Sequence, residues 1–318
     1  MSALWVNINR NGALGNRLFS RAHVYAAARE FGAVVADWGL GDYKRLFPAL
    51  PAGQLASYPF TANGAVPELP DRWWLNEGTL GFLRRARPRR TGQHGPIWSC
   101  YWGGADPDTM ALDGPAFAEF AAGRELLFLD GYKLRCTPWV RKHADEIRRF
   151  FALPQAVTAK WTALQAQWHR QWPTTVAVHM RGTDFRKAQG GRYYLSPAEY
   201  ASVLKSSDAI DPATTLFVLF SDESFRKDAN FAALASAFAG LDHIFMHGDL
   251  ADDMAGIGSC DRIVGPVTST FSRWAVFARA RPWAGVSRSM LAGEAPGLQF
   301  RSGLVPWDYG ASSAQPET

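Results

Sequence analysis

The chain has 318 residues, with 34 Lys+Arg against 29 Asp+Glu and a formal net charge of +5. Hydrophobic residues at 47% and charged residues at 20% suit a chain with a large core, which excludes a disordered tail protein, a disulfide miniprotein and a collagen-like chain. The length favours two domains or one large one, and so small a charge permits an anionic ligand without demanding nucleic acid.

In chain order, Leu4 to Ile8 reads as a short strand, followed by a turn with Gly12 and Gly15 and a helix from about Asn16 to Phe31. Leu18, Ala22, Tyr25 and Ala26 share one face of that helix, and Gly32 stands where a C-cap glycine is expected. Ala33 to Ala36 is the next strand, so the opening is the start of a βαβ layout. From 40 to 125 the periodicity is weak and Pro, Gly and Trp are frequent. This stretch holds Arg84, Arg85, Arg87, Arg89 and Arg90, five arginines in seven positions. They read either as a solvated loop or helix end, or as a patch for an anionic acceptor, lipid headgroup or nucleic acid. Trp73, Trp74, Trp98 and Trp102 are candidates for stacking on sugars or for packing in the core. Glu125 to Leu129 reads as a strand. Residues 138–172 form a helical stretch with Trp161, Leu164 and Trp168 on one face, ending at Trp172-Pro173 as the crossing between domains.

The second half alternates regularly. Val176–Met180, Thr215–Phe220, His243–Met246 and Arg262–Gly265 are apolar runs, each followed by polar residues and a helix. The helices are expected from Ser196-Pro-Ala-Glu199, which carries an N-cap, N1 proline and N3 glutamate, then at Ala229–Phe238, Ala251–Cys260 and Thr270–Ala280. This predicts a parallel sheet of Rossmann type. The tail from Ala311 is expected to be disordered. Cys100, Cys136 and Cys260 are far apart with no CxxC spacing, so reduced thiols are expected. The start of the chain lacks a signal-peptide pattern, and no apolar run nears the ~18 residues that cross a bilayer. A soluble, cytoplasmic protein is the expectation.

In doubly wound sheets, ligands bind at the carboxyl ends of the strands. There stand His179, Arg181 and Asp184 after the first run, and Ser221, Asp222 and Glu223 after the second. His247, Asp249, Asp252 and Asp253 follow the third, and Thr268, Ser269, Thr270, Phe271, Ser272 and Arg273 the fourth. Hydroxyls at a helix start suit a diphosphate, and Arg181 suits a bidentate clamp on it. Asp253 suits the donor edge of guanine. The competing readings are ordinary caps and helix-dipole partners.

These motifs resemble the fucosyltransferase superfamily of α1,2-, α1,6- and protein O-fucosyltransferases. Asn11-Gly-Ala-Leu-Gly-Asn-Arg-Leu-Phe19 resembles the amino-terminal G-x-G-N-x-x-F signature, and His179-Met-Arg181-Gly-Thr-Asp184 the H-x-R-x-x-D motif. Phe220-Ser-Asp-Glu223 looks like F-S-D-[DE], and Asp253 to Cys260 followed by Ser269-Thr-Phe-Ser272 and Trp274 is similar to D-x-x-x-M-S-x-C…S-T-F-S-x-W. Gly182, Thr183, Phe185, Ile257 and Gly258 depart from the α1,2 pattern and bear on subfamily and linkage. The resemblance implies an α/β fold of GT-B type, with two Rossmann-like domains facing a cleft: residues 1–170 on the acceptor side and 171–310 on the donor side. It implies a GDP-fucose donor, no metal or other cofactor, inversion, and a carbohydrate or glycoconjugate acceptor. Arg181 would hold the β-phosphate, His179 and Asp253 the guanosine, Ser269 to Ser272 the pyrophosphate, and Gly15 and Asn16 the opposite side of the site.

Asp184 is the candidate general base or sugar-positioning carboxylate, with a structural bond to Arg181 as its alternative; Glu77 and Glu223 are further bases. Rival readings are another GDP-sugar as donor, a metal-dependent transferase using Asp106-Pro-Asp108, and a non-enzymatic binder of nucleic acid or an acidic surface. No recognised nucleic-acid motif is present. A peripheral contact with the inner membrane face through Arg84, Arg85, Arg87, Arg89 and Arg90 is a further expectation.

Overall fold

This computed structural model describes residues 2–10, 12–50, 55–86, 92–100, 110–131, 133–222 and 228–303. Asn11, Arg87, Arg89, Arg90, Trp102, Asp106, Asp108, Glu223 and the tail from Ala311 lie outside the described residues. Chain contacts divide into two compact units, Met1–Ala152 and Leu153–Leu304.

The first unit runs β1 (Leu4–Asn7), α1 (Leu14–Phe31), β2 (Val34–Asp37), β3 (Ala56–Tyr58), α2 (Glu77–Ala86), β4 (Gly92–His94), β5 (Ile97–Cys100), β6 (Met110–Ala111), α3 (Pro115–Ala121), β7 (Leu126–Gly131), β8 (Leu134–Arg135), α4 (Thr137–Lys142) and α5 (Ala144–Phe150). Its main sheet has the order β3-β2-β1-β7-β5-β4. The inner pairings are parallel, and the edges β3 and β4 are antiparallel. All four residues of β1 are buried, as expected for a strand covered on both faces. Gly32 ends α1 at φ 64°, in the left-handed region that glycine adopts without steric penalty, and its N–H reaches the Ala28 carbonyl. The helix is buried round most of its circumference rather than on one face, including Arg21 and His23.

The second unit runs α6 (Gln155–Trp168), β9 (Thr174–Met180), α7 (Pro197–Lys205), β10 (Thr215–Ser221), α8 (Asp228–Ala237), β11 (His243–Phe245), α9 (Leu250–Ser259), β12 (Arg262–Pro266), α10 (Thr270–Arg279), β13 (Trp283–Val286) and α11 (Arg288–Leu291). Its sheet has the order β11-β10-β9-β12-β13 and is parallel throughout. The single helical stretch expected over 138–172 is instead three helices. Pro154 lacks an N–H and restricts Leu153 before it, so α5 and α6 cannot join. The crossing expected at Trp172-Pro173 lies within the second unit, because α6 belongs to it: Trp161 and Trp168 are buried, and Trp161 packs on Phe220 of β10 with ring centroids 5.7 Å apart. The capping box at α7 is complete. The Glu199 N–H donates to Ser196 Oγ, and the Ser196 N–H donates to the Glu199 carboxylate.

Candidate functional site

The strand order of the second unit reverses between β9 and β12, the topological switch point where such sheets open a ligand crevice. Pairing of these two strands stops at Val178 with Val264. His179 and Met180 therefore run on beside Gly265 and Pro266 without a shared ladder. On its other side β9 stays paired with β10 to the end, placing Phe220 opposite His179 and Ser221 opposite Met180.

His179 is buried, with Nδ1 3.5 Å from Ser269 Oγ and its ring 5.6 Å from that of Phe271. Burial, reinforced by the nearby Arg181 charge, pushes its pKa down to about 4, so the imidazole is neutral near pH 7. Ser269 is the N-cap of α10, and its Oγ accepts the Ser272 N–H at 3.4 Å. Gly265 is required where it stands, since a Cβ there would lie 2.9 Å from Ser272 Oγ. Ser272 is fully buried against the sheet, while Thr270 is half-buried at the helix start. The Thr268 hydroxyl oxygen is buried and has no hydrogen-bond partner among the described residues, which leaves its donor open to a ligand atom.

Arg181 follows β9. Its Nε and Nη2 donate to the two Asp184 oxygens, each at 2.9 Å, and Nε lies 3.1 Å from Asp222 Oδ2. That bidentate contact with Arg181 holds the Asp184 carboxyl below its ordinary range. Asp222, one residue beyond β10, also accepts the Gly182 N–H at 2.8 Å and the Thr183 hydroxyl at 2.7 Å. It thereby shapes the turn that presents Arg181. Ser221 is buried at the end of β10.

Asp249 caps α9 by accepting the Ala251 and Asp252 N–H groups, and Asp252 is held by Lys160 and the Trp161 indole. Asp253 accepts only the Gly248 N–H, at 2.9 Å, among the described residues. Burial raises its pKa to about 6, with the charges of Asp252 and Asp249 adding to the shift. A half-buried carboxylate with spare acceptor capacity is suited to a ligand donor edge.

His179, Arg181, Asp184, Ser221, Asp222, Asp253, Ser269, Thr270, Phe271 and Ser272 thus all fall in the second unit, at strand ends, in the turns after them or in the opening turns of the helices α9 and α10 that follow. Gly15 and Asn16 belong to the first unit, in the opening turn of α1. There Gly12 has φ 76°, and a Cβ on it would meet the Asn16 side chain. Sequence reasoning passed over Gly248 and Gly265, whose roles show only as close approaches to Asp252 and Ser272. It also passed over the edge strand β13. Trp74 and Trp98 pack against Phe128 and Phe117, whereas Trp73 is 88% exposed. Cys136 and Cys260 are buried free thiols, raised in pKa by burial, so neither is poised to react. No helix of the described residues is long and apolar enough to cross a membrane.

No protein-family model matches this chain, and no curated protein matches it in sequence. Solved structures do. The α1,6-fucosyltransferase NodZ co-crystallised with GDP is 15% identical over 95% of this chain and 99% of its own, with a TM-score of 0.55. The fucosyltransferase NodZ from Bradyrhizobium is 15% identical over 96% of this chain and 100% of its own, at 0.51. An arginine-to-lysine mutant of Arabidopsis thaliana FUT1 in complex with GDP is 13% identical over 89% of this chain and 70% of its own, at 0.56. These likenesses establish the fold: mixed α/β with parallel sheets, as in these fucosyltransferases and as expected from the sequence.

Proposed function

We propose that the chain is a glycosyltransferase that moves fucose from GDP-fucose to a hydroxyl of a carbohydrate or glycoconjugate acceptor, with inversion and without a metal ion. The observation that carries this reading is the contact of His179 with Ser269, next to the buried Thr268 hydroxyl and two residues before Arg181, where the parallel sheet of the second unit reverses its strand order. The four ordered motifs of the superfamily support it, as does the shared fold with NodZ and FUT1, both crystallised with GDP.

The departing GDP gathers negative charge as the glycosidic bond breaks. The Arg181 guanidinium, the Thr268 hydroxyl and the backbone N–H groups opening α10 supply fixed donors for that charge. Asp253 takes the guanine N1–H and exocyclic amine, and neutral His179 lines the nucleoside side. Asp184, locked to Arg181 and held in its ionised form, serves to position that guanidinium rather than to take the acceptor's proton.

The test is a panel of GDP, ADP, UDP and GDP-sugars measured by calorimetry, with Arg181→Ala as control. Selective binding of GDP and GDP-fucose, weakened at least tenfold by Arg181→Ala, is expected. No response to GDP, or an unchanged response in Arg181→Ala, would sink the reading.

A further inference from the structure

A second set of arginines lies in the first unit, at the carboxyl ends of β1 and β2. Arg10, three residues beyond β1, stacks its guanidinium on Trp38 at 4.4 Å from the ring centroid; Trp38 is the residue after β2. Gly41 hems it from the backbone side, for a Cβ there would lie 2.3 Å from Arg10 Nη2. Arg17, in the first turn of α1, stacks on Tyr43 at 4.9 Å. It also donates to the carbonyls of Gly12, Gly39 and Leu40 at 2.9, 3.0 and 3.3 Å. Both guanidinium groups are thus immobilised by neutral partners.

No carboxylate among the described residues pairs with Arg10, Arg17 or Arg84. Asp42, between Gly41 and Tyr43 in the chain, is exposed and forms no ion pair among the described residues, and Asp37 at the end of β2 is already engaged by Arg21, Asn7, Tyr58 and the Gly39 N–H. Burial, then the positive charges of Arg21, Arg10 and Arg84, lower the Arg17 pKa, the mark of like charges held together without compensation. Tyr43 works the other way and does not reverse it. Fixed, half-buried guanidinium groups with unused N–H donors match the geometry of an oxyanion.

We propose that Arg10 and Arg17, with Arg84 in electrostatic reach, form an oxyanion-binding site that recognises a phosphate or carboxylate carried by the acceptor. The assignment to the acceptor rests on reading the second unit as the donor unit. The acceptor class is then an acidic glycan or a phosphorylated glycoconjugate, and its binding weakens with salt.

The full chain is first titrated with GDP alone. At saturating GDP it is then titrated with inorganic phosphate and, in a separate arm, with glucuronate, at low ionic strength. Binding of at least one anion beside GDP is expected, weakened about tenfold or more by Arg10→Ala and by Arg17→Ala, with partial retention in Arg10→Lys. Arg84→Ala, on the surface of α2, gives a smaller loss and covers the event that either α1-side variant fails to fold, which thermal melting reports. Phosphate alone binding assigns a phosphorylated acceptor, and glucuronate binding an acidic sugar. The proposal is overturned if neither anion binds beside GDP, or if binding is unchanged in the folded variants. Failure of GDP to bind would instead defeat the donor reading, and leaves the arginine variants to decide the anion site separately.

Discussion

Arg181 and Asp184 form a two-point contact, and Asp222 accepts the Gly182 N–H and the Thr183 hydroxyl of the same turn. Asp184→Asn should lower GDP affinity only a few-fold, by loosening Arg181, and leave the pH profile of transfer unchanged; a lost ionisation in that profile would restore Asp184 as the base. His179 and Asp253 respond to pH in opposite senses. With its folded pKa near 4 against 6.5 unfolded, His179 contributes stability above pH 6.5 that is lost as pH falls through 4. Thermal melts of His179→Gln between pH 6.5 and 4 should therefore show a shallower acid decline than the parent chain. Asp253, with its folded pKa near 6 against 3.8 unfolded, contributes stability below pH 3.8 that is lost as pH rises through 6. Asp253→Asn is expected to melt higher at pH 7.5 while binding GDP more weakly. It should also lose the preference for GDP over inosine diphosphate, which lacks the exocyclic amine; calorimetry with both nucleotides checks this.

At the scale of the elements, α9 lies close against the sheet because Gly256 has no side chain. A Cβ there would come within 2.8 Å of the Phe220 ring and of the Trp161 ring carried by α6. Both rings are buried and wedged together, so Gly256→Ala should destabilise by about 1–3 kcal/mol in chemical denaturation. The same helix carries Asp253, so GDP affinity should fall with it as the helix is pushed outward. This closeness was not legible in the sequence, where Gly258 reads only as a departure from the α1,2 pattern and Gly256 falls at an unspecified position of the motif. The start of α7 was legible, since Ser196, Pro197 and Glu199 each act within one turn.

The two units of the whole molecule each have their own core, and the first is anchored by a charged one. Arg21 and Asp37 are fully buried, 2.9 Å apart, with Asp37 also accepting from Tyr58 at 2.6 Å. Removing one partner strands the other charge, so Arg21→Leu should cost about 3–5 kcal/mol of stability in a denaturant titration. A variant as stable as the parent would show that the pair is replaceable.

Local chemistry decided much of what could be read in advance. Runs of β-branched and aliphatic residues, a glycine able to adopt positive φ at position 32, and hydroxyls ahead of Thr270 act over a few residues, so the sequence alone placed β1, β2, β7 and β9 to β12, the cap and the polar strand ends, while β3 to β6, β8 and β13 were not read. Strand order, register and the partners of each polar group depend on residues far apart in the chain. His179 meets Ser269 across ninety positions, Asp222 meets Arg181 through the register of β9 and β10, and Arg10 meets Trp38 only once β1 and β2 lie side by side. Composition counted thirty-four cations without distinguishing them. Folding did so, by giving Arg181 and Arg21 carboxylate partners and packing Arg10 and Arg17 against neutral groups.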